Sequence, residues 1–228
     1  MWGHIRCATP PPPTESHSVT RTPPRRPARL EDAQAEAIIG APDPAEASLL
    51  AHETAQALVD GGRGRAGDPE LVARLVGLVE SEGLETLAEM WSGSPANTLP
   101  GTLWRLYLIR EWVRRDPRHI ALNYRRGLEL AEVAGVIAGV ADTPGPEDVR
   151  RTADRILSGV FDGDLDVALD RASSFLKVLA AGSALGAESL DATDSDLSAL
   201  VVQRASALLN TAEDLQHAAG LARAGTLE

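Results

Sequence analysis

The chain has 228 residues, a formal net charge of −11 and only 4% aromatic side chains. One cysteine, Cys7, excludes a disulfide framework and a thiolate metal site, and no run of about 18 apolar residues offers a membrane span. The length allows one large domain with a tail, and so aromatic-poor a core has to be built from Leu, Val and Ala, which favours helices over a β-sandwich.

Residues 1–28 read as a disordered Pro/Arg-rich tail. Pro10 to Pro13, Pro23, Pro24 and Pro27 remove backbone donors, and little apolar surface is present to offset the entropy of ordering. Arg6, Arg21, Arg25, Arg26 and Arg29 against Glu15 make this end basic and leave a strongly acidic body. Five scattered arginines fall short of a dense basic block, so an incidental extension is favoured over an arm for nucleic acid. MWGHIRCATPPPP lacks the apolar stretch of a signal peptide, and the expected compartment is the cytoplasm.

From residue 29 to 228 the pattern predicts one all-α domain, a multi-helix bundle of about eight or nine helices. Three Asp-Pro pairs, Asp43-Pro44, Asp68-Pro69 and Asp116-Pro117, place an N-cap before a proline at the first helical position. Gly61-Gly62, Gly93 and Gly163 read as helix ends. Helices are predicted at about 30–39, 44–60, 69–81, 83–92, 99–115, 117–140, 146–161, 165–182 and 194–223, with 183–193 as an internal loop. Apolar stripes at helical spacing support them: Leu71, Leu75 and Leu78; Val149, Ala153, Ile156 and Val160; Leu165, Leu169, Ala172, Leu176 and Leu179. The last helix runs Leu197, Val201, Arg204, Leu208, Ala212, Leu215 and Ala219 along one face.

The stretch from Trp91 to Gly127 differs from the rest. It holds Trp91, Trp104, Tyr107, Trp112 and Tyr124 with a concentration of arginines. On a helical wheel Leu103, Leu106, Ile109 and Val113 cover one side of the 99–115 segment, and Trp104, Leu108 and Trp112 the other. A helix apolar nearly all round is expected inside the bundle. Arg110 on such a helix has to be paired or face a cavity. The next helix begins with His119, Asn123 and Arg126 on one face, and its later turns are apolar. Tyr107, Arg110, Arg114, His119, Asn123 and Arg126 are therefore the candidate binding residues, since arginines supply forked donors and aromatic rings flat faces. The competing expectation is structural: arginines neutralising an acidic body, with Arg110 paired to Glu129, Glu132 or an acid on another helix.

Other motifs fail on their spacing. FDGDLD, from Phe161, puts Val167 and Ser173 where a calcium loop needs Gly and Glu. His52-Glu53 has Gln56 where a zincin needs its second histidine. No Gly-rich phosphate loop, serine elbow or Glu-x-x-His pair occurs, so neither a cofactor nor a catalytic group is expected.

The segments LPGTLWRLYLIREWVRRDP, AEVAGVIAGVADTPGP, GVFDGDLDVALDRA and LLNTAEDLQHAAGLARAGTLE resemble an uncharacterised family of all-α proteins from high-GC Gram-positive (actinobacterial) bacteria. The resemblance covers roughly residues 45–228 and implies the helical fold without assigning residue roles. Some members carry an RNA polymerase β-subunit label. Nothing in these residues supports it, because that subunit is many times longer and rich in β-structure. The leading expectation is a non-enzymatic regulatory or protein-interaction protein, partnered by another protein or a second copy of itself. The alternatives are a small anionic ligand or an enzymatic site near Arg110 and His119, and contact with nucleic acid or the transcription machinery. The acidic body disfavours the last by repelling phosphate.

Overall fold

A computed structural model describes residues 43–65, 68–134, 145–191 and 195–228, with side chains described except at 131–134, 186–191 and 195–198. The predicted tail and the helix expected at 30–39 fall outside the described residues. Among these residues there are nine helices and no strand. In chain order they are α1 (Pro44–Arg63), α2 (Pro69–Val76), α3 (Leu78–Glu82), α4 (Leu84–Trp91), α5 (Leu99–Arg115), α6 (Pro117–Ala134), α7 (Pro146–Phe161), α8 (Leu165–Asp191) and α9 (Ser195–Ala224). The all-α bundle expected from the sequence is the fold. None of the described helices is long and apolar enough to cross a membrane.

The aspartate caps form as expected. The Asp43 carboxylate accepts from Ala45 N, Asp68 from Glu70 N and Leu71 N, and Asp116 from His119 N. Thr98 caps α5 by accepting from Gly101 N while its hydroxyl donates to the Pro95 carbonyl. At α7 the Asp148 carboxylate reaches back to Gly145 N at 2.7 Å, the half of a capping box that does not need a side chain at the cap.

Three boundaries differ from the sequence reading. The helix expected over 69–81 is broken at Gly77 into α2 and α3, for a tertiary reason given in the next subsection. Gly61-Gly62 does not end α1, which runs on to Arg63. Gly62 is there for closeness: a Cβ on it would stand 2.8 Å from the Phe161 Cβ of α7. The loop expected at 183–193 is largely helix, since α8 continues to Asp191. Gly182, the last residue of the helix predicted at about 165–182, is a contact point inside α8.

That contact sets the arrangement of the later helices. A Cβ on Gly182 would stand 1.8 Å from the Asn123 carbonyl oxygen, and one on Gly127 1.9 Å from the Val178 carbonyl oxygen. The backbones of α6 and α8 therefore cross in direct contact. α9 then packs antiparallel along α8, tied by Lys177 to Gln216 at 2.7 Å and by Arg223 to Asp166 at 3.1 Å and to Asp170. α5 lies within the bundle: Leu103, Leu106, Tyr107 and Val113 are fully or almost fully buried, as are Trp91 of α4 and Leu157, Val160 and Phe161 of α7. α5 and α9 meet only briefly.

Gly182→Ala should lower stability by about 1–3 kcal/mol or more, because the new methyl meets a backbone carbonyl that cannot turn aside. Gly220→Ala, in α9 with open space around it, should raise stability by about 0.5–1 kcal/mol. Denaturant unfolding of both variants checks the opposite signs.

Candidate ligand cleft

The six candidate residues part into two groups. Tyr107 and Arg110 lie inside the domain. Tyr107 stacks on Trp91 with ring centroids 6.1 Å apart, and its hydroxyl donates to the Leu75 carbonyl at 2.6 Å. Leu75 is in the last turn of α2, where helix carbonyls are left for outside donors. Burial pushes the Tyr107 phenol well above its ordinary pKa, so it serves as a neutral donor.

Arg110 is 4% exposed. Its Nε donates to Asp154 Oδ1 of α7 at 2.6 Å and one terminal nitrogen to Glu80 Oε2 of α3 at 3.0 Å. Arg114, one turn on and exposed, reaches the other Glu80 oxygen at 3.1 Å. This is the ion pair to acids on other helices that a buried arginine demands. Glu129 of α6 does not supply it, and the side chain of Glu132 lies outside the described ones. Tyr107 and Arg110 hold the two sides of the Gly77 break, the last turn of α2 and the acid of α3. A straight helix over 69–81 would have to present both groups from one continuous rod. Burial disfavours the charge on Arg110, and the two carboxylates outweigh it, so its pKa is raised. Partial burial pushes the Glu80 carboxyl up. Its hydrogen bond with Arg110, the Arg110 charge and Arg114 outweigh that and hold it below the usual glutamate range.

His119, Asn123 and Arg126 face elsewhere, into an open cleft of about 850 Å³. The α5–α6 corner builds it. With Asp116 as cap and Pro117 at the first helical position, Trp112 stands one turn before the corner and His119 in the first turn after it. Both line the same space, as does Asp116. Asn123 is 5% exposed and sits on the wall beside the Gly182 crossing. Its amide donates to His119 Nε2 at 3.0 Å, the arrangement that an imidazole protonated on Nδ1 accepts. Ser183 of α8 and Val201, Arg204 and Leu208 of α9 complete the cleft. Among the described residues, no ion pair uses Arg126 or Arg204.

Sequence reasoning missed Glu80, Asp154 and Arg204 as partners in these groups. Arg204 had a signal, because it interrupts an otherwise apolar stripe of the last helix. Glu80 and Asp154 had none, being two acids among many. Tyr124, the last aromatic of the Trp91–Gly127 stretch, meets Phe175 of α8 in a tilted ring contact with centroids 5.1 Å apart. Of the scattered histidines, His52 lines a separate cavity with Asp60 and Arg63, and among the described residues no group of three or more His, Cys, Asp or Glu could hold a metal ion. Comparison of the chain with family models, with curated proteins and with solved structures finds no match.

Arg110→Met should destabilise the protein by about 2 kcal/mol, below the roughly 3–5 kcal/mol of a fully buried pair, because Glu80 and Asp154 keep 40% and 39% of their side chains in water. Since Glu80 titrates lower folded than unfolded, its contribution is present above the unfolded value of 4.5 and is lost as pH falls through the lower folded value. Thermal midpoints of Glu80→Gln should therefore fall less steeply than the wild type's as pH is lowered below that value.

Proposed function

We propose that the protein is a helical binding protein whose cleft between α5, α6, α8 and α9 takes a small anionic ligand with a flat or apolar part. One observation carries this reading. Arg126, Arg204 and the almost fully buried amide of Asn123 converge on one space with the half-buried ring of Trp112. The cleft falls within the size of ligand sites, roughly 300–1,000 Å³, and combines apolar walls with a few convergent polar groups as such sites do. Guanidinium forks match carboxylate or phosphate oxygens, and the indole face offers stacking area. The cleft carries two arginines against one acid, Asp116, a local balance that favours an anion in an otherwise acidic protein.

A protein contact through Arg114 and Arg126 has less to rest on. Arg114 is engaged by Glu80, while Arg126 lines the cleft. The binding reading is compatible with a regulatory role in which the ligand is the signal, and it assigns no chemical step to His119.

Thermal unfolding with benzoate, citrate and a nucleoside monophosphate tests the proposal. A binding anion at ~100-fold its dissociation constant should add roughly 2.7 kcal/mol. The shift should vanish in the Arg126→Ala, Arg204→Ala double variant. A flat panel, or a shift that the double variant keeps, overturns it.

A further inference from the structure

Beside the cleft lies a second cavity of about 420 Å³, in the gap between α5 and α9, and Trp112 and Leu208 line both. Trp104, Leu108 and Trp112 stand one turn apart along α5 on one wall, and Leu208 of α9 and Leu176 of α8 oppose them. Trp104 and Trp112 are only partly buried, and Leu108 is 36% exposed. Large apolar side chains left partly open to water offer a surface that apolar matter can cover. From Trp104 to Trp112 it runs about 12 Å along α5.

The strip has polar groups at both ends, and they differ. At the Trp104 end, Arg105 is already committed, to the Gly101 carbonyl at 2.9 Å and to Asp214 at 3.9 Å. At the Trp112 end stand Arg126, Arg204, Asn123, His119 and Asp116. Asp116 spends a carboxylate oxygen on His119 N. The path is thus neutral at one end, apolar through its length and cationic at the other.

From this polarity we infer that the cleft and groove together form one site for a straight-chain carboxylic acid, monomeric in water. Its carboxylate lies between Arg126 and Arg204, and its chain runs past Trp112 and Leu208 toward Trp104. This rests on the anion-binding reading above and narrows it to one class of ligand. A compact anion would fill the head of the site and leave the tryptophan strip in water. A purely apolar molecule would make no use of either arginine. A chain with one anionic end satisfies both, and each methylene moved from water to the groove should tighten binding roughly fourfold.

The test is titration of the full chain with acetate, hexanoate and decanoate below their aggregation concentrations, followed by calorimetry and by tryptophan emission, with decanol as the uncharged control. Affinity should rise by roughly 250-fold from hexanoate to decanoate, decanol should bind far more weakly, and the emission change should shrink in Trp112→Phe. Arg126→Ala with Arg204→Ala should abolish decanoate binding. Leu108→Gln, at an exposed position that the fold tolerates, should weaken decanoate while leaving benzoate unchanged. If benzoate binds through the two arginines and chain length adds nothing, the carboxylic-acid inference falls and the anion reading stands. If decanol binds as well as decanoate, or if the protein sediments with phosphatidylglycerol vesicles and ignores monomeric acid, the inference also falls. If no anion binds at all, both fall.

Discussion

An arginine only 4% exposed has to be neutralised where it stands, and Arg110 organises three helices for that purpose. It lies on α5, takes Asp154 from α7 and Glu80 from α3, and Arg114 shares the second of these. Tyr107, one turn earlier, fixes the end of α2 through the Leu75 carbonyl. Together they specify how the short helices α2 and α3 lie on the bundle and why the chain breaks at Gly77. Such a network contributes more to the uniqueness of the packing than to net stability, because the cost of desolvating the charges offsets most of their attraction. It also removes two of the six candidate residues from any role that requires a ligand to reach them.

The second constraint is steric. Glycine at 127 and 182 lets the backbones of α6 and α8 touch, and a single Cβ at either place would collide with a carbonyl oxygen. This crossing presses Asn123 against α8 and turns its amide to the cleft. With α9 packed along α8 rather than along α5, a gap remains between α5 and α9. The cleft is thus what remains when α6 and α9 both follow α8 closely and α5 follows neither. Trp104, Leu108 and Trp112 line the gap because they share the face of α5 turned toward α9.

Much of the secondary structure was legible. Asp-Pro caps and apolar stripes locate most helices, since both are local and depend on residues a turn or two apart. The misjudged places share a cause. Gly77, Gly62 and Gly182 each have a meaning set by a distant neighbour: a tyrosine and an arginine thirty residues away, a phenylalanine on α7, a carbonyl on α6. Glycine marks a helix end or a close approach with the same letter, and only the neighbour distinguishes them. The candidate site was half legible for a similar reason. Wheel positions bring His119, Asn123 and Arg126 together because they share one helix. They cannot reveal that Tyr107 and Arg110 face the opposite way, toward α2, α3 and α7.

By itself the sequence determined an all-α bundle, the caps that start its helices, and the demand that Arg110 be paired. These follow from side-chain periodicity, hydrogen-bonding capacity and the cost of burying a charge, which hold wherever the helix is placed. The tertiary structure decided which acids answer Arg110, which of two apolar sides of α5 is sealed, and that Arg204 joins Arg126 across a cleft. Those outcomes depend on the distance between helices far apart in the chain. That distance is set by contacts as small as a missing Cβ.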